Sequence, residues 1–178
     1  MALIQPYLIY CISLWGSSLR SEKMNKLFIL QKKCVRIVAG KTAKENGIFR
    51  HTKPIFRSLN ILTIFNLYTY FTAIETMKIL STKSPVLLFN DFQHSTRSSR
   101  LILPKFKYES FKRISFIYNG SKIINHLLEC DIPYFGLISI PVFKSRLKTH
   151  LLTMQGRSRS GDEEWLPCNH DIFSDIRL

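Results

Sequence analysis

The chain has 178 residues, 46% of them hydrophobic and 21% charged, enough for one domain with a real core and too apolar for a wholly disordered polypeptide. Lys and Arg total 26 against 12 Asp and Glu, a formal charge of +14. Residues 1–161 hold 25 bases and 7 acids, a net +18, while the acids Asp162, Glu163, Glu164, Asp171 and Asp175 crowd the C-terminal end beside a single base, Arg177. That excess repels itself unless a polyanion is near, and points to nucleic acid or an anionic membrane surface as partner. The plain alternative is a merely soluble basic protein.

Taken in chain order, residues 1–19 carry no charge. They lack the basic n-region and cleavage site of a secretory signal. Pro6 and Gly16 interrupt the run, and its apolar part is short of the roughly 20 residues of a membrane span. Residues 3–15 read as a buried helix, as does the weakly charged run 58–74. Ser21 or Asn25 caps the next helix, which ends near Ala39 with Gly40 as its C′ residue. On a helical wheel Leu27, Leu30, Cys34, Ile37 and Val38 form an apolar stripe, which predicts that Lys26, Lys32, Lys33 and Arg36 lie on the exposed opposite face. Residues 40–54 are polar and read as a connection. A third helix starts near Pro54 or after Asn60 and runs to about Leu80.

Residues 82–110 change character. They are rich in Ser, Thr, Asn, Arg and Lys with aromatics between, and read as extended chain with a short strand at 101–103 broken by Pro104. Within STRSSRLILPKFKYESFKR, residues 95–113, the bases Arg97, Arg100, Lys105, Lys107, Lys112 and Arg113 alternate with Phe106, Tyr108 and Phe111. Such alternation suits a single strand held by charge and stacking. The competing reading makes the aromatics core anchors and the bases solvated. Residues 111–130 read as helix or helix-turn-helix with Asn119–Gly120 as the turn, and 143–152 as a last short helix. The remainder, 153–178, has no periodicity and reads as a disordered tail.

The four cysteines are far apart and read as reduced thiols. His126 and Cys130 share a helical spacing, and Cys168 lies near His170, but neither pair has the paired ligands of a structural zinc site. No phosphate-cradling glycine loop, nucleophile elbow or His–Glu metal motif is present. The expectation is no catalytic residue, no metal and no cofactor.

The order of the pieces carries a resemblance. LIYCISLWGSS (8–18) resembles the Tyr-Gly-x-x-x-Trp-Gly element after the polymerase core of non-LTR, jockey-like retrotransposon reverse transcriptases. LFILQKKCVRIVAG (27–40) is similar to the Leu-Gln-Lys/Arg-x-x-Arg-Ile helix that follows there. PIFRSLNILTIFNLYTYFTAIETMK (54–78), HSTRSSRLILPKFKYESFKRISFIYNGSKIINHL (94–127) and FKSRLKTHLL (143–152) resemble the next elements in turn. Cys11 stands where the family usually has Gly, Ile124 where Trp is common, and 153–178 matches none of it.

The resemblance implies the thumb and post-polymerase region of an RNA-directed DNA polymerase, located in the nucleus or cytoplasm and not secreted. The family's two-metal chemistry needs adjacent aspartates, and this sequence has no Asp–Asp pair. The expectation is therefore a non-enzymatic, mainly α, multi-helical chain divided as 1–81 thumb-like, 82–110 extended, 111–152 helical and 153–178 tail. Its polymerase core lies upstream, and its partners are RNA, DNA or their hybrid. The runner-up is a small basic protein held on a membrane by residues 1–19.

Overall fold

The computed structural model describes residues 5–17, 21–40, 44–45, 48–49, 52–93, 100–130 and 139–155. The described chain is mainly helical, in the order α1 (Gln5–Ile9), α2 (Ile12–Trp15), α3 (Ser21–Val38), β1 (Lys44–Glu45), β2 (Ile48–Phe49), α4 (Lys53–Ser58), α5 (Ile64–Thr82), α6 (Val86–Asp91), α7 (Glu109–Ile114), α8 (Phe116–Glu129) and α9 (Ile140–Met154). The two strands form a minimal antiparallel pair, Lys44 opposite Phe49 and Glu45 opposite Ile48, inside the expected polar connection. The tail expected over 153–178 begins inside the fold, since α9 runs to Met154 and Gln155 is buried; residues 156–178 lie outside the described residues, as does Arg97.

The chain divides into two compact units. The first comprises Met1–Tyr10, Leu19–Leu67 and Thr149–Leu178. Its core is built on α3 through Met24, Phe28 and Val35, with Ile55 and Phe56 of α4, Leu62, Ile64 and Leu67. Phe28 meets Phe65 edge-on at 5.5 Å and Phe56 at 6.3 Å. Two buried amides fasten the connection between α4 and α5. Gln31 Nε2 donates to the Leu62 carbonyl and the Ile64 N–H donates to Gln31 Oε1, both at 2.9 Å. Gln155 Oε1 accepts from the Thr63 N–H and from Asn66 Nδ2 at 3.2 Å, while its Nε2 donates to the Ile61 carbonyl at 3.3 Å. The segment makes a tight turn that no helix or strand ladder satisfies, so side-chain amides complete its backbone hydrogen bonds.

The second unit comprises Cys11–Ser18 and Tyr68–Lys148. Tyr68, Ala73, Ile74, Met77 and Leu80 of α5, Ile123, Ile124 and Leu127 of α8, and Phe143 and Leu147 of α9 form its buried interior. The helix α8 is capped by Ser115, whose hydroxyl accepts from the Tyr118 N–H at 3.3 Å.

Several sequence expectations change here. The segment 3–15, expected as a buried helix, is largely exposed: no residue of α1 is buried, and Tyr7, Tyr10 and Leu14 are 82%, 76% and 64% exposed. The first helix is two short ones, because Cys11 adopts a left-handed conformation with φ 49°. Part of the 82–110 stretch is helical, since α6 begins directly after Pro85, whose fixed φ suits a helix start. Finally, α8 runs straight through Asn119–Gly120, and the break falls at Ser115. Gly120 is a packing residue, not a turn: a Cβ there would collide with Thr76 Oγ1 on α5.

Candidate nucleic-acid interface

In α3 the inward face is one residue out of step with the expected stripe. Met24, Phe28, Gln31 and Val35 are buried, whereas Leu30 is 54% and Ile37 78% exposed. One residue is 100° of helical rotation, so the whole wheel turns. A count of apolar side chains misses this, because the true stripe contains a glutamine, and Gln31 is buried to serve the α4–α5 turn. The basic residues turn with it. Lys33 is exposed, but Lys32 is partly buried, with Nζ 4.2 Å from the Phe28 ring centroid. Desolvation, then repulsion from Arg36, holds the Lys32 ammonium below the ordinary lysine range. Arg36 is partly buried as well. The outer face of α3 therefore mixes Lys26 and Lys33 with Ile29, Leu30 and Ile37, and is not the purely basic surface its sequence suggested.

The second unit carries a different surface. Leu101 is buried, and Asn125 of α8 grips its backbone from the side: the Leu101 N–H donates to Asn125 Oδ1 and Asn125 Nδ2 donates to the Leu101 carbonyl, both at 2.8 Å. The side-chain amide imitates a strand neighbour. Residue 102 is tied by its N–H to the Gln93 carbonyl at 2.7 Å. From this anchor the chain runs outward to α7. Phe106 is 40%, Tyr108 56% and Phe111 54% exposed. Lys105 and Lys107 between them are exposed too, with Lys107 Nζ 5.5 Å from the Tyr108 ring and Tyr108 6.1 Å from Phe111. Core anchoring would bury these rings, and they are not buried.

Charges along this lip differ in availability. Arg100 meets Glu129 at 3.1 Å, in a pair with both side chains about half exposed. Lys112 lies 3.3 Å from Glu109 and over the Tyr118 ring at 5.2 Å; the Tyr118 hydroxyl first, then Glu109, hold its ammonium above the usual lysine value. It stays a cation throughout the physiological range. Arg113 is in α7 on the same stretch. Beside the lip lies an open cleft of about 520 Å³, lined by Ile102, Leu103, Pro104, Phe106 and Ile117, with Lys105, Asp91 and Gln93 as its polar members.

The sequence-predicted residues thus form two groups, Lys32, Lys33 and Arg36 on one unit and Arg100, Lys105, Lys112 and Arg113 on the other. No family model, curated protein or solved structure matches this chain. Among the described residues there is no group of three metal-ligating side chains, although Cys130 Sγ lies 4.0 Å from His126 Nε2. Among them, too, no helix is long and apolar enough to cross a membrane. Sequence reasoning passed over Asn125 and Gln31. For Gln31 the available signal was a lone amide among Leu27, Phe28, Cys34 and Val35 on one helical face; Asn125, beside Ser121, Lys122 and Glu129, had none.

Proposed function

We propose that this chain is the non-catalytic, nucleic-acid-holding C-terminal part of a non-LTR retrotransposon RNA-directed DNA polymerase, and that it holds single-stranded RNA or DNA without sequence preference along residues 100–113. One observation carries the binding site: Phe106, Tyr108 and Phe111 stand half exposed among lysines instead of entering the core. Every base has a π-face, so aromatic platforms bind any sequence, and lysines beside them neutralise phosphates. The ordered motifs between residues 8 and 152 support the polymerase assignment.

On this reading α3 is a secondary contact, in which Lys33 alone of its three candidates is exposed. Fluorescence anisotropy with a labelled uridine homopolymer tests the proposal. The triple change Phe106→Ala, Tyr108→Ala, Phe111→Ala is expected to weaken binding at least about tenfold, since each stacked base contributes roughly 1–3 kcal/mol, with the melting temperature little changed. Unchanged affinity rejects the site. The polymerase assignment is tested separately, by whether the chain binds and restores activity to a core that bears the adjacent aspartates.

A further inference from the structure

We propose that the outer face of α3 is a docking surface for the acidic C-terminal segment of the same chain, residues 162–178. The face presents Ile29, Leu30 and Ile37, half to three-quarters exposed, together with exposed Lys26 and Lys33. A helix in water does not stabilise such a surface by leaving it bare, and its combination of apolar and basic groups asks for an occupant that is apolar and acidic.

Residues 162–178 have that chemistry. Asp162, Glu163, Glu164, Asp171 and Asp175 oppose one base, a net −4, and Trp165, Leu166, Ile172, Phe173 and Ile176 lie between them. The helix α3 carries five bases and one acid, a net +4. The two segments are opposite in charge, +4 against −4.

The attachment point favours an intramolecular partner. Gln155 is buried in the first unit and bonds to residues 61, 63 and 66, while Gln31 of α3 bonds to residues 62 and 64. The segment therefore departs beside the middle of α3. Residues 156–161 intervene, and six residues reach about 20 Å, more than the diameter of a helix with its side chains. So short a tether gives an effective concentration near the millimolar range, which favours this occupant over a second copy at ordinary protein concentrations.

Photocrosslinking in the full chain tests the proposal. Ile37 is replaced by photoreactive p-benzoylphenylalanine, with Leu87, 82% exposed on the second unit, as the control position. Crosslinks from position 37 are expected to fall mainly within 162–178 of the same chain, with a yield constant over a roughly tenfold range of protein concentration. The combined change Asp162→Lys, Glu163→Lys, Glu164→Lys is expected to lower that yield about fivefold or more, and position 87 to give no such product. Absence of crosslinks to 162–178, crosslinks to a second copy that rise with concentration, or a yield unmoved by charge reversal would each overturn it. Because Ile37 is 78% exposed, the melting temperature of the position-37 variant is expected to match the parent, and a lower one with lost crosslinks counts against the surface being solvent-facing.

Discussion

Gln31 shows how one polar side chain can fix the rotation of a helix. Its amide is 2% exposed and satisfies two backbone groups that the α4–α5 turn leaves open. Replacing it with Leu, similar in size, leaves the Leu62 carbonyl and the Ile64 N–H buried and unpaired. A loss of about 2–4 kcal/mol is expected in urea unfolding, since an orphaned buried group costs roughly 1–3 kcal/mol. Tyr68 makes a second residue-scale case. Burial raises its phenol to about 12, against smaller opposing effects from the Thr72 and Ser17 hydroxyls. A raised folded pKa gives stability that is full below the unfolded value near 10 and is lost as pH rises toward 12. The parent is therefore expected to lose about 2–3 kcal/mol more than Tyr68→Phe between pH 9 and pH 12, measured by paired denaturant melts.

At the scale of elements, most helices were legible. Periodicity marked α3, α5 and α9, and Gly40, at φ 61°, closes α3 as its sequence position indicated. What stayed hidden was orientation and punctuation. Asn119–Gly120 has the composition of a turn, yet α8 needs a glycine there to approach Thr76. Local propensity holds no information about a neighbour that arrives from 44 positions earlier in the chain. Gly120→Ala separates the two roles. Intrinsic propensity alone would stabilise the helix by about 1 kcal/mol. The close approach predicts instead a net loss of roughly 1–3 kcal/mol, read as a lower melting temperature. The alternation of bases and rings from residue 101 to α7 was legible in the sequence, but that the rings stay exposed was not. Nor was the anchoring of this lip by Asn125, because a single amide in a helix has no distinguishing pattern. Asn125→Ala is expected to weaken homopolymer binding several-fold while leaving far-UV circular dichroism near the parent's.

For the whole molecule, the decisive quantity is the charge of +14 and where it is usable. Its magnitude was plain from composition, but the inward turn of Lys32 and the pairing of Arg100 with Glu129 were not. Exposed Lys105 and Lys107 are expected to dominate. Changing both to Gln should reduce the slope of log K against log salt by about 0.7 for each lost single-strand contact. The sequence has no adjacent aspartates, so the chain by itself is expected to show no template-dependent nucleotide incorporation with magnesium or manganese. Primer extension on an RNA template checks this, and incorporation by the pure chain would refute it.

The grip of Gln155 on residues 61–66 has a consequence for the order of events at the ribosome. Those hydrogen bonds span 89 to 94 positions of sequence. The first unit therefore stays unfinished until residues 149–155 have cleared the exit tunnel, although its other elements are made early. The second unit has all its segments by residue 148. The half of the protein that is begun first is thus completed last, and during that delay the polar groups of Ile61, Thr63 and Asn66 await Gln155 at the end of α9. A nascent chain stalled short of α9 is where chaperone contact with this protein should be sought.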